Sequence, residues 1–479
     1  MPRGPRSNRR MMWGLHPGYW LLIVDWAIRL AALWWIPSRS RPAAARSWLL
    51  LVGFVPLFGL PLYLLLGQPW VSRERRARQA QASARIREAQ APLAALRAVP
   101  AGAGADVAVL VERLGGFLPM PGNHVELLDD YDASLQRLID DIDAATDEVH
   151  LLYYLMFDDA VGAAVCDALR RAAARGARCR LLLDALGAKP GLRAWRARLV
   201  DGGVLVHAML PGGLRWRRSA RADLRNHRKI AVIDRSIGYT GSQNLAAPDF
   251  VPGHPNRELV ARLRGPAVAQ LAALFASDWY LETGEALDVA TCAPVPGGGI
   301  AQALPSGPAY PFENARDAVV ALLQRARRRV VLATPYFVPD DAVLAALRIA
   351  ALSGIEVTLI LSRSNNQTLT AWAQASYFDD LLAAGVRIAL HRPCFLHAKH
   401  LSVDDDVALI GSINLDIRSF ALNAEAGLLS YDADVVARLH AIEAARLAES
   451  DVVDPVQWAR RSTWRRTRDG IARLADSLL

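Results

Sequence analysis

Two histidine–lysine pairs are the residues in this chain best suited to chemistry. His227 and Lys229 are followed by Asp234, Ser242 and Asn244; His397 and Lys399 are followed at identical spacing by Asp404, Ser412 and Asn414. An imidazole titrates near neutral pH, so it can attack as a nucleophile or deliver a proton. An ammonium beside it neutralises anionic oxygen, and Ser and Asn add neutral hydrogen-bonding groups. Together they suit a phosphodiester. One imidazole attacks phosphorus while the other, protonated, donates to the departing alkoxide. Lys229, Lys399, Asn244 and Asn414 would hold the equatorial phosphoryl oxygens. This chemistry calls for no metal and no cofactor, because two lysines already supply positive charge and no ligand cluster stands out in the sequence.

The pattern also predicts the elements that place these groups. A His and a Lys two apart on a strand point to one face. Residues 230–233, and less cleanly 400–403, continue each strand into the core, and a return strand begins at 239–241 and 409–411. Asp234 and Asp404 complete the signature and count with its catalytic set. They lie five residues beyond each lysine, at roughly 3.3 Å per residue, and read as structural supports, turn or ion-pair formers. Ser242 and Ser412 read as phosphate or turn contacts, since no separate base is reserved for them. Glu258 follows Asn244 by fourteen residues and Glu425 follows Asn414 by eleven. A carboxylate on the far ring N–H would fix a histidine's tautomer and raise its basicity.

The surrounding chain repeats itself. Strands are expected at 149–154, 179–183 and 204–209, and again at 330–333, 356–361 and 386–390, with helices at 161–174, 192–200, 342–352 and 369–384. Tyr154 and Tyr336 close corresponding strands, where they either line the site or, as buried strand aromatics more often do, pack in the core. Strand–helix alternation predicts an α/β fold of two tandem halves with mostly parallel sheets and pseudo-twofold symmetry. The halves are expected at 105–293 and 312–479, joined by a Pro/Gly-rich linker at 294–311. Spacing between the copies is 182 residues for Tyr154 and Tyr336 but 170 for His227 and His397, so the excess falls in loop 211–226. With Arg215, Trp216, Arg217, Arg218 and Arg221, that loop is either a substrate lip or a solvated basic loop.

Ahead of the halves, residues 1–70 contain two apolar segments, 19–36 and 48–66, of membrane-spanning length, read as two N-terminal transmembrane helices. Asp25 and Arg29 are spaced to pair within the first. An Arg/Ala/Gln-rich surface helix is expected within 71–104. Residues 1–104 hold fifteen Arg, no Lys and three acids, +12 of the net +9, so the remainder carries −3. The basic excess therefore points to anionic lipid heads or to topology-setting flanks, not to a nucleic-acid groove in the body. Arginine counts and four scattered cysteines lean towards a cytoplasmic body.

The duplicated His-x-Lys-x4-Asp spacing resembles the phospholipase D superfamily. The runs Asn226-His227-Arg228-Lys229-Ile230, Thr334-Pro335-Tyr336-Phe337-Val338-Pro339 and Asn414-Leu415-Asp416-Ile417-Arg418-Ser419-Phe420 resemble its bacterial cardiolipin synthases. That resemblance implies a multi-pass inner-membrane phosphatidyltransferase joining two phosphatidylglycerols into cardiolipin and glycerol. It also implies a phosphohistidine intermediate, with His227 as nucleophile and His397 as acid and then base, and it supports the orienting role of Glu258 and Glu425. The same residues could serve a phospholipase D-type hydrolase or another phosphatidyltransferase. A nucleic-acid phosphodiesterase sits poorly with the charge distribution, and a non-catalytic scaffold sits poorly with two intact motifs.

Overall fold

The computed structural model describes residues 17–40, 42–67, 71–211, 221 and 223–474. The arginines of 3–10 and most of the basic loop, including Arg215, Trp216, Arg217 and Arg218, lie outside them. The chain divides into two compact units, Met1–Pro69 and Trp70–Leu479.

In the first unit, three helices, Pro17–Trp35, Pro42–Phe54 and Pro56–Leu66, pack around Ala32, Ile36, Ala45, Trp48, Val52 and Tyr63. Among the described residues no helix is long and apolar enough to cross a membrane, which corrects the expectation of two transmembrane spans. The first apolar segment is diluted by Asp25 and Arg29, which pair at 2.9 Å. The second is broken at Val55 (φ −136°, ψ 69°), ahead of Pro56. Proline lacks the N–H that would continue the helix and disfavours helical geometry in the residue before it.

The second unit is built on one fifteen-stranded sheet. From one edge the first seven strands are Leu205–Met209, Arg178–Asp184, Glu148–Tyr153, Ile230–Ile233, Ile237–Gly241, Val260–Arg264 and Met120–Leu128. Then come Gly299–Ser306, Glu425–Ser430, Val407–Gly411, His400–Val403, Arg329–Thr334, Glu356–Ser362 and Arg387–His391, with Ser450–Val452 at the far edge. The second seven repeat the first in reverse order, so the two halves meet at an antiparallel seam where Met120 faces Ala301. Residues 294–311, expected as a linker, thus contribute a central strand, Gly299–Ser306. Its side chains 301–306 are buried, which a surface linker would not allow.

The sheet is mixed. Glu148–Tyr153, Arg178–Asp184 and Leu205–Met209 run parallel, as helical crossovers require, and so do their counterparts. The motif hairpins make the inner ladders antiparallel. Corresponding crossover helices, Ala160–Ala174 and Asp341–Leu352, begin alike: Asp159 accepts the Gly162 N–H and Asp340 the Val343 N–H. The expected helix at 369–384 is two, Thr368–Ser376 and Phe378–Ala383. One buried cluster takes Leu152, Ile230 and Leu263 from the first half and Ala333, Ile410 and Leu428 from the second.

Candidate functional site

Each histidine sits just before the first strand of its hairpin, where backbone from the other half pairs with it. The His227 N–H donates to Ala424 O (2.8 Å), and the His397 and Ala398 N–H groups both donate to Arg257 O (2.8 and 2.9 Å). Residues 424 and 257 immediately precede the two glutamates. Pairing across the halves therefore carries each glutamate to the opposite histidine. His227 Nδ1 lies 3.1 Å from Glu425 Oε1 and 3.2 Å from Oε2, and His397 Nδ1 lies 2.7 Å from Glu258 Oε1. Both carboxylates are buried. Each glutamate follows one motif in sequence and contacts the histidine of the other.

The remaining signature residues divide between this centre and the strand ends. Lys229 and Lys399 are buried and donate to the carbonyls of His227 and His397, each at 2.6 Å. The Ser412 hydroxyl bonds Glu425 and accepts the Ala426 N–H (3.0 Å); Ser242 accepts the Leu259 N–H (2.9 Å). These serines fasten the glutamate-bearing strands. Asn244 Oδ1 accepts the Leu155 N–H (3.2 Å), whereas the buried Asn414 Oδ1 has no partner among the described residues. The Tyr154 ring is tilted against His227 with centroids 4.8 Å apart. Tyr336 is further removed, against Phe395, whose ring is 5.9 Å from His397.

Asp234 and Asp404 take no part in that cluster. Asp234 accepts the N–H groups of Thr146, Asp147 and Glu148 at 2.8–3.0 Å; Asp404 accepts those of Arg327, Arg328 and Arg329 at 2.8–2.9 Å. Both have left-handed backbones (φ 48° and 51°), which short polar side chains tolerate. Each pins the hairpin turn to the start of the neighbouring strand.

Sequence reasoning missed a surrounding set of charges. Asp278, on helix Ala267–Thr283, accepts from Asn226 Nδ2 (3.0 Å) and Arg228 Nη1 (2.6 Å). Arg228 Nε in turn donates to the Glu425 carbonyl (3.0 Å). On the other side Arg446, on helix Ala433–Ala448, donates from Nη2 to the Glu258 carbonyl (3.1 Å) and lies 3.0 Å from His400 Nε2. One buried arginine thus holds the backbone of each orienting glutamate. Arg228 occupies the signature's variable position, where the other copy has Ala398, so no spacing marked it. Asp184 receives Arg225 Nη1 (3.2 Å) and the Asn226 N–H (3.1 Å).

Burial governs the titration of this cluster. It drives His227 below its ordinary value and His397 to about 4, against the pull of Glu425 and Glu258. It takes Lys229 to about 7 and Lys399 to about 8. Burial opposes the Glu258 carboxylate too, but His397 and Lys399 overcome it and hold Glu258 near 2. Glu425 is likewise lowered, with His227 and Lys229 outweighing burial. Near pH 7 the centre holds two carboxylates, two neutral imidazoles, the Lys399 ammonium and a Lys229 amine about half protonated. It is poised to accept an anion.

The chain is similar to known proteins over nearly its whole length. The family described as "Cardiolipin synthase, PLD-like domain" matches residues 138–279 and 319–444, one stretch around each motif. A protein of Edwardsiella ictaluri named "Cardiolipin synthase A" is 32% identical over 464 residues, covering 94% of each chain. One of the same name from Erwinia tasmaniensis is 33% identical, over 95% of this chain and 96% of that one. Among solved structures, phosphatidylserine synthase of Haemophilus influenzae Rd KW20 aligns with 78% of this chain and 100% of its own at a TM-score of 0.58. At 15% identity it supports the fold alone. This chain belongs to the cardiolipin synthase family of phospholipase D-like proteins.

Proposed function

We propose that the chain is a phosphatidyltransferase that converts two phosphatidylglycerols into cardiolipin and glycerol through a phosphohistidine. The observation that carries this is the exchanged pair of His–Glu contacts, which holds Nδ1 of both imidazoles and leaves Nε2 of each for the reaction. Nε2 of His227 attacks phosphorus of the donor, and the bond from phosphorus to the glycerol headgroup oxygen breaks. His397 gives its Nε2 proton to that oxygen and glycerol leaves. His397 then takes the proton from a headgroup hydroxyl of the second lipid, whose oxygen attacks phosphorus and breaks the N–P bond.

Assigning His227 to attack rests on the family resemblance. The shorter contact of His397 with Glu258 supports the imidazolium its role requires. The bound phosphodiester anion, close to both rings in a dry site, favours that charged form and offsets the effect of burial. Lys229 and Lys399 stabilise the charge on the equatorial oxygens, while Asp234 and Asp404 support the hairpins. The lipids imply a bacterial membrane as the working surface. The first unit suits one, since Trp20, Leu21, Trp34, Phe54 and Leu57 are exposed.

The test is incubation of the purified protein with phosphatidylglycerol in mixed micelles, with products resolved by mass spectrometry. Cardiolipin plus free glycerol, lost in both His227→Ala and His397→Ala, supports the reading. Phosphatidic acid as the product would make the protein a hydrolase instead.

A further inference from the structure

A second feature of the large unit lies apart from both motifs. Helix Arg73–Gln90 and helix Ala267–Thr283 bound a cavity of about 600 Å³, closed on a third side by residues 286–294. Neither motif contributes to its wall. Alanines are the reason for the space: Ala82 and Ala89 on one helix, Ala269, Ala273 and Ala276 on the other. The lining is mostly apolar and the volume falls within the range of about 300–1,000 Å³ usual for small-ligand sites.

Two observations identify the occupant. Ser277 lines the cavity at 4% exposure, and its Oγ has no hydrogen-bond partner among the described residues. Leaving a buried hydroxyl unpaired is unfavourable, and an ester carbonyl entering an otherwise apolar cavity would satisfy it. Arg85 lines the cavity, on a helix, Arg73–Gln90, that carries six arginines against two glutamates. Arg73, Arg76, Arg85 and Arg87 are exposed, and none of these four pairs with a carboxylate among the described residues. Arg85 lies over the Tyr280 ring at 4.9 Å, at the cavity wall, and Asp288 is the one carboxylate on the lining. A mostly apolar space, one buried donor and an arginine at the wall, on a helix rich in arginine, are complementary to acyl chain, ester and phosphate respectively.

We infer that this cavity binds an anionic glycerophospholipid, with an acyl chain between the two helices, its ester at Ser277 and its phosphate at Arg85. The site is separate from the reaction centre and holds the second unit to a bilayer of its own substrate class. It rests on the proposed function only for the identity of that lipid.

The test measures binding without turnover, in full-length His397→Ala protein, using phosphatidylglycerol with a fluorescent acyl chain and the matching phosphatidylcholine. Saturable binding of the phosphatidylglycerol probe is expected. It should weaken at least tenfold in Ala273→Trp, which fills the cavity, and Arg85→Glu should weaken phosphatidylglycerol but not phosphatidylcholine. Ala89→Trp, at an exposed rim position, replaces Ala273→Trp if the latter does not fold by circular dichroism. Absence of saturable binding, binding indifferent to the filled cavity, or equal affinity for both probes overturns the inference. Failure of the transferase reading would show separately, as no cardiolipin from the wild-type protein.

Discussion

Replacing Lys229 with Met is expected to make the protein more stable while abolishing turnover. The lysine is 2% exposed, and among the described residues its ammonium hydrogen-bonds only the carbonyl of its own motif's histidine. Its pKa in the fold is about 7, against 10.5 ordinarily. That depression already includes the attraction of Glu425 and Glu258, so the surroundings as a whole disfavour the charge. At about 1.4 kcal/mol per pKa unit, keeping this side chain in the folded state near neutral pH costs roughly 3–5 kcal/mol. Methionine keeps the length and apolar contact and removes that cost, for a gain of about 2–4 kcal/mol and a Tm several degrees higher. The pH dependence has a definite sign. Between about pH 7 and 10.5 the unfolded chain binds the lysine's proton and the folded chain does not. Wild-type stability therefore rises with pH across that window. Lys229→Met should lose this part of the slope and keep the part due to Lys399, whose pKa is about 8. The assay is denaturant unfolding at several pH values, with cardiolipin formation in parallel. A less stable Lys229→Met at pH 7.5, or an unchanged slope, would refute the claim that this cation is held against its own preference.

Three further outcomes follow from the geometry. Glu258→Gln should disturb the ring of His397 and leave that of His227 unchanged, and Glu425→Gln the reverse, as read by nitrogen-15 NMR of labelled histidine. Each should lose about 10²–10⁴ in kcat, and disturbance of the same-half ring would contradict the exchange. Arg446→Met should lower kcat about tenfold and move the acidic limb of the pH–rate profile, with partial rescue by Arg446→Lys; lower stability with an unmoved profile would reduce Arg446 to packing. Asp404→Ala removes three charge-assisted backbone bonds and should destabilise the protein by about 3 kcal/mol. Its kcat should stay within threefold at a temperature where it is folded, and loss of kcat without loss of stability would return Asp404 to the chemistry.

Local features of this fold were legible because they depend on residues near one another in sequence. Glycine breaks, apolar runs and the duplicated motif located the parallel strands, the motif hairpins and the serine and asparagine that follow. Asp234 and Asp404, which strand length alone sets apart from phosphorus, each make three backbone contacts. Long-range pairing was not legible. Nothing local distinguishes a glutamate serving its own histidine from one serving another 198 residues away. Strand Gly299–Ser306 was hidden because proline and glycine around it signal a linker, and only the seam with Met120–Leu128 makes it structural. The two apolar segments had spanning length, yet Pro56 inside the second outweighed its hydropathy.

The exchanged glutamates make each half the custodian of the other's reactivity. A fragment holding one complete motif keeps its imidazole but loses the carboxylate that orients it. Two separately inactive chains, one lacking Glu258 and one lacking Glu425, each retain one intact His–Glu contact, and it joins the two halves of the same chain. Mixing them as folded monomers therefore restores nothing. Only chains that trade whole halves across the seam between Met120–Leu128 and Gly299–Ser306 could rebuild an active centre. For a duplicated protein this is a genetic lock: a half that loses its glutamate disables the histidine of its twin.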